Sequence, residues 1–202
     1  MQSLAEAIDS CVTHFMAAPE APVAKVSLLN DERQAEVMAM SKGKELKVDL
    51  TKTFANVFTE NARRTPDALA VADDERQLTY AEMEHRANIL AHHLIEAGVT
   101  DDSFVALMLE RTVDFPVAVL AVHKAGAAYL PLDLEYPAER LQYMLENSEA
   151  PVLLTTHDIK EIRRQGDRET RRIFLDDLDF DGPSEHIDRS RPDGLAYMIY
   201  TS

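Results

Sequence analysis

Apolar residues run through this chain in two rhythms, one of helical spacing and one of short unbroken runs. Leu4, Ile8, Cys11 and Phe15 fall on one helical face, behind a Ser3-to-Glu6 capping box. Pro19 and Pro22 end that helix. A second helical stretch, from about Asn30 to Met40, sets Val37 and Met40 against a charged side. Gly43 and the lysines at 42, 44 and 47 mark a linker. From Thr53 the pattern thickens. Phe54, Val57, Phe58 and Ala62 give a helical stripe that stops before Pro66. Ala68 to Ala72 and Gln77 to Thr79 read as strands around a turn. Thr79 to Glu82 is a second capping box, opening a helix with Met83, Ala87, Leu90 and Leu94 inward and Gly98 beyond its end. Phe104 to Leu109 is uninterruptedly apolar, which predicts a strand covered on both faces. Thr112 caps a helix ending at Gly126, with Pro116 tolerated in its first turn. A strand over Ala128 to Leu132, a helix with Pro137 at its first position, and a strand over Val152 to Thr155 follow. A short helix over Asp158 to Arg164, a strand over Ile173 to Leu175 and an acidic loop over Asp176 to Gly194 come next. The chain closes on Leu195 to Tyr200, a buried strand by its pattern, leading into Thr201 and Ser202. Strands alternating with helices predict an α/β fold. Its mostly parallel sheet is flanked by helices and joined by right-handed crossovers, with a helical segment in front.

Composition narrows the function more than the fold. A net charge of −15 excludes nucleic-acid binding through the phosphate backbone, which needs clustered cations. The basic cluster at Arg163-Arg164 and Arg171-Arg172 alternates with acids and reads as a solvated face. Cys11 is the only cysteine, so no internal disulfide forms and a reducing compartment fits. His14 lies one turn from it, but a small apolar residue on a helix face accounts for Cys11. Glu6 and Asp9 interrupt any secretory apolar core. The run Phe115 to Val122 is too short to cross a bilayer. The expectation is a cytoplasmic protein with no membrane and no nucleic-acid partner.

Candidate chemistry is sparse. Asp177, Asp179 and Asp181, with Gly182 and Asp188, begin a calcium-loop pattern. The last position carries Asp where a longer Glu reaches in, and no helix precedes the loop. A solvated acidic loop is expected, with no metal ligand. His85, His92 and His93 share a helix but lack the i, i+4 spacing of a zinc helix, and surface histidines are expected. His123 to Asp133 is the densest local signature. Its small residues Ala125 to Ala128 suit close packing of a helix end on the sheet, Pro131 ends strand pairing, and Lys124 suits a helix C-terminus. That run reads as structural. Thr201 and Ser202 stand just past the carboxyl end of a strand, where open α/β sheets bind ligands. They are the candidate binding residues; no catalytic residue is assigned.

Three runs together carry a resemblance. Leu78-Thr79-Tyr80-Ala81-Glu82-Met83, then Lys124 to Asp133 with Tyr136-Pro137 and Arg140-Leu141, then Leu195 to Ser202 occur in that order. They resemble the first three core motifs of nonribosomal peptide synthetase adenylation domains, within the adenylate-forming, AMP-binding superfamily. Met83 and His123 stand where leucine is usual. The resemblance implies residues 53–202 as the N-terminal part of such a domain, truncated at its phosphate loop. It implies residues 1–18 as the end of a condensation-like domain and 19–52 as a linker. For a complete enzyme it implies ATP and Mg2+, an amino acid joined to AMP, and transfer to phosphopantetheine on a carrier domain, with a condensation domain upstream. Thr201 and Ser202 match the start of the phosphate loop. The 202 residues by themselves are expected to be inactive, to bind no cofactor tightly and to self-associate through uncovered apolar faces. A non-catalytic docking module needing a partner chain, and a fragment of an acyl-CoA or aryl-acid ligase, are the alternatives. The first fifty residues favour the synthetase over the ligase. The amino acid activated lies outside what these residues specify.

Overall fold

The computed structural model describes residues 4–25, 29–44, 46–159 and 170–201, in two compact units, 1–48 and 49–202. The first unit holds α1 (Leu4–Ala17), a 3-10 turn (Val23–Lys25) and α2 (Asp31–Ser41). Asn30 caps α2, its Oδ1 accepting the Arg33 N–H at 2.8 Å. The stripe predicted on α1 stays in solvent. Leu4, Ile8 and Phe15 are exposed, and no residue of α1 is buried. The proposed cap at Ser3 lies outside the described residues.

The second unit runs α3 (Phe54–Arg64), β1 (Leu69–Ala72), β2 (Gln77–Thr79), α4 (Tyr80–Glu96), β3 (Phe104–Leu107), α5 (Asp114–Lys124), β4 (Ala128–Pro131), α6 (Ala138–Ser148), β5 (Val152–Thr155) and β6 (Arg171–Phe174). β1 and β2 form an antiparallel hairpin. The other four strands make a parallel sheet in the order β4-β3-β5-β6. The chain thus leaves β3 to one side and returns to the other, placing a topological switch between β3 and β5.

The period of two explains the layers. Val105, Leu107, Val152 and Leu154 point to a core shared with α3, α4 and α5, while Ala106, Met108 and Leu153 point to a second core under α6. Both faces are therefore dry, and the apolar runs need no polar alternation. The expected capping box of Thr79 with Glu82 forms, and the structure adds a second, Thr53 with Asn56. On α3 the buried face is Ala55, Phe58, Thr59 and Ala62, one position round from the predicted stripe. Phe54 and Val57 remain about half exposed.

Several expectations are corrected at element ends. Thr112 does not cap α5: the N-cap is Val113, without a side-chain bond, and Asp73 of the β1–β2 turn takes the Val113 N–H at 2.8 Å. Pro137 is extended and precedes α6, contributing its carbonyl to the first turn. Leu175 belongs to a 3-10 turn after β6. The helix expected over Asp158 to Arg164 falls mostly on residues outside those described, and Asp158 lies in a turn.

The largest correction concerns Leu195 to Tyr200. This segment lies parallel to β4 but makes a single bridge, Tyr129 to Tyr197. Tyr129 donates to the Ala196 carbonyl at 3.3 Å, and Met198 donates to the Tyr129 carbonyl at 3.0 Å. The next rung would need a donor at position 131, where proline has none. Pro131 does not end pairing with β3, since Leu132 still donates to the Leu107 carbonyl at 2.9 Å. It ends pairing on the other edge. The segment is accordingly half-covered: Met198 and Tyr200 pack on the α6-side core, and Leu195, Tyr197 and Ile199 are exposed.

Candidate functional site

Loops following parallel strands gather at one edge of the sheet, and there the second unit opens a cleft of about 1050 Å³. Its walls come from the ends of β3 (Leu109 to Thr112), β4 (Pro131 to Tyr136) and β1 (Val71 to Asp73), with Ile199 and Tyr200 of the terminal segment. Tyr200 is held by its hydroxyl donating to Asn147 Oδ1 at 2.7 Å and by an edge contact with the Tyr143 ring. Thr201 follows directly and is exposed. Ser202 lies outside the described residues.

Two of the cleft's charged residues, Asp73 and Asp133, are committed to the local fold. Asp73 accepts from the N–H groups of Val113, Arg76 and Glu75, which hold its carboxyl below the usual range, Val113 having the largest effect. That carboxylate occupies the N-terminus of α5, so the helix dipole already has its anion. Arg76 pairs with Asp114 at 2.5 Å, and Asp133 accepts the Glu135 N–H at 3.0 Å. Arg111 is the cation on the wall, against Asp73, Glu110, Asp133 and Glu135. No group of three metal-binding side chains occurs among the described residues. A polyphosphate entering the cleft would find one guanidinium among four carboxylates.

The acidic segment 178–194 is not merely solvated. It crosses α3, α4 and α5 as a strap. Leu178, Phe180 and Ile187 pack on the larger core. His85 is bonded on both ring nitrogens, Nε2 to the Phe180 carbonyl at 3.1 Å and Nδ1 to Ser184 Oγ at 2.8 Å. His92, two turns on, reaches the Glu185 carbonyl at 3.2 Å. These two histidines are strap anchors, and their seven-residue spacing was the available signal. His93 lies 3.9 Å from Glu96 and is half-buried. The carboxylates of the calcium-like pattern are dispersed: Asp177 meets His157, Asp179 takes the Asp181 N–H, and Asp188 accepts from Asn56 and Ser190.

Lys124 is structural for a different reason from its place at a helix end. Its side chain is 0% exposed. The ammonium donates to Glu84 at 2.7 Å, to Thr59 Oγ1 at 3.1 Å and to the Ile187 carbonyl at 3.3 Å, using all three of its protons. Glu84 sits on the polar flank of α4 in the sequence, and nothing there marked it as the partner. His123 is also largely buried, edge-on to Phe54 and Tyr129. Burial lowers its pKa below 6.5 and keeps the imidazole neutral. The small residues after it serve the strap as well as the sheet. A Cβ on Gly126, whose φ is +83°, would stand 3.2 Å from the Arg189 carbonyl and 2.9 Å from Asp101 Oδ1.

No described helix is long and apolar enough to cross a membrane. The family described as AMP-binding enzyme matches residues 58–202. Gramicidin S synthase 2 of Brevibacillus brevis is 36% identical over 98% of this chain, which spans 5% of that protein. Tyrocidine synthase 1 of Brevibacillus parabrevis is 38% identical over 75% of this chain, which spans 14% of it. Among solved structures, the AMPPNP-bound form of the nonribosomal peptide synthetase FmoA3 superposes on all of this chain at a TM-score of 0.81 and 26% identity, the match covering 22% of that chain.

Proposed function

This chain belongs to the AMP-binding enzyme family, and we propose that it forms the opening part of an adenylation domain that activates an amino acid within a nonribosomal peptide synthetase. In this reading residues 53–202 begin the N-terminal subdomain, 1–18 end a condensation-like domain and 19–52 join the two. The whole enzyme joins an amino-acid carboxylate to the α-phosphate of ATP, releasing pyrophosphate, then passes the aminoacyl group to the phosphopantetheine thiol of a carrier domain. It works in the cytoplasm.

The observation that carries this is geometric. The terminal segment lies along β4 and brings Ile199 and Tyr200 onto the wall of the cleft, and the exposed Thr201 follows directly after them. Thr201 and Ser202 would meet the nucleotide phosphates, and the cleft would receive the reactants beside them. What the described residues supply is positioning, which can account for much of the rate of an in-line displacement. Magnesium, when bound to the whole enzyme, would offset phosphate charge.

The test is carboxylate-dependent ATP–pyrophosphate exchange by the full-length protein that contains this segment, run against amino acids, fatty acids and aryl acids. Exchange with an amino acid is expected. Replacing Thr201 by Ala should raise KM for ATP about tenfold, the worth of one hydrogen bond to a charged group, with KM for the amino acid little changed. Exchange supported only by fatty or aryl acids, or by no carboxylic acid, overturns the reading.

A further inference from the structure

The terminal segment has one bridge to hold its register, yet its register decides which residue reaches the cleft. A slip of one residue would turn Met198 and Tyr200 outward and carry Thr201 away from its place. The Tyr200 hydroxyl on Asn147 holds the segment's far end, and its near end must be fixed by something else. The strap does so through a continuous series of anchors. Lys124 holds it twice, its ammonium to the Ile187 carbonyl and its own carbonyl to the Arg189 N–H at 2.8 Å. Asn56 then takes Asp188 at 2.8 Å, and Thr53 meets Ser190 at 2.6 Å. Arg191 pairs with Asp101 and Asp102, and Asp102 accepts the Leu195 N–H at 2.9 Å. Two residues later the chain bridges β4.

The first anchor is the only one of these that is both charged and fully buried. Glu84 fixes the ammonium from α4, Thr59 fixes it from α3 while also donating to Glu84 at 3.0 Å, and His186 of the strap lies 3.4 Å from the same carboxylate oxygen. Among the described residues the second oxygen, Glu84 Oε2, is buried without a partner. A buried ion pair with an unsatisfied oxygen is a poor device for stability alone, because an apolar pair of similar volume does as well. It is a good device for geometry, since the ammonium accepts few arrangements of its three partners.

We propose that Lys124 and Glu84 are positioning residues: they lock the strap at Ile187 and thereby set the register in which Leu195 to Thr201 meets β4 and presents Thr201 to the cleft. The inference about register stands on the contacts above, and its consequence for nucleotide binding rests on the proposed function.

The experiment uses the double variant Lys124→Met with Glu84→Leu, which removes both charges at similar volume and so separates geometry from folding, beside the single variant Lys124→Met. In the full chain, amide hydrogen exchange is read at Arg189, Leu195 and Met198 and compared with amides inside α4. The strap and terminal amides of the double variant should exchange about tenfold faster, the worth of a hydrogen bond to a charged group, while those of α4 stay protected. Unchanged exchange at Leu195 and Met198, or an equal rise at every amide, overturns the proposal. In the full-length protein the same variant should raise KM for ATP with KM for the amino acid unaltered. A shift of both constants together, or of neither, also overturns it. If the unaltered full-length protein shows no exchange of pyrophosphate at all, the proposed function fails, and the amide measurement still decides the positioning role.

Discussion

Replacing Lys124 by Met alone should be among the most damaging single changes in the second unit. The side chain is wholly buried and Glu84 is 14% exposed, so deleting the ammonium leaves a carboxylate in the interior whose second oxygen already has no partner among the described residues. Breaking a buried pair from one side costs about 3–5 kcal/mol. The Thr59 hydroxyl and the Ile187 carbonyl also lose a donor, which places the total near the upper end of that range. For a unit of this size each kcal/mol moves the melting temperature by about 2–4 °C, so a fall of roughly 10–15 °C is expected. In urea, with a slope of about 2 kcal/mol/M, the midpoint should drop by about 2 M. Tyrosine fluorescence and far-ultraviolet circular dichroism would follow the transition, since the chain has no tryptophan. Adding Glu84→Leu should recover most of the loss, because two apolar side chains replace the pair. A single variant that loses less than about 1 kcal/mol would refute the reasoning, as would a double variant no better than the single. Either result would mean that the carboxylate finds water or takes a proton at little cost.

Three further outcomes can be checked by the same unfolding measurements. His123 has its pKa lowered by burial, so below pH 6.5 the unfolded chain takes up a proton that the folded chain resists, and stability falls as the pH drops through that window. His123→Leu should abolish this part of the acid dependence. His157, raised chiefly by its bond to Asp177, acts in the opposite sense above its ordinary value, losing its contribution as pH rises through its folded pKa, and does not mimic the effect. Gly126→Ala should cost about 2–3 kcal/mol through its positive φ and the close Arg189 carbonyl, and a loss below 0.5 would show that the strap yields easily. Thr79→Ala should cost about 1 kcal/mol by removing the acceptor for the Glu82 N–H, with Thr79→Ser retaining most of it.

The sequence by itself determined most of the second unit's described elements and their order, although the strand expected over Leu195 to Tyr200 is only a single bridge. The capping box at Thr79, the unbroken run from Phe104 and the inward positions Met83 and Leu90 are local statements, set by bond periodicity and by side-chain reach within four residues. Such statements survive folding because any core that buries these elements must use the same faces. The family resemblance was legible for the same reason, being carried by short contiguous runs. Thr201 could be named as a binding candidate from its place after an apolar run.

Tertiary structure decided everything that depends on residues far apart in the chain. Asp73 replaced Thr112 at the start of α5 because a hairpin 40 residues away brings a carboxylate to the Val113 N–H. The apparently solvated acidic loop became a strap because His85, His92 and Asn56 meet it across about a hundred residues of sequence. Pro131 acquired its meaning only when Leu132 was seen to bond β3 and Tyr129 the terminal segment, so that the N–H missing at position 131 is the one that would have faced that segment. Glu84 was invisible as a partner for Lys124, since an acid on an amphipathic helix ordinarily faces water. The folded chain puts it under the strap, where an unpaired charge is costly, and that cost makes the pairing specific.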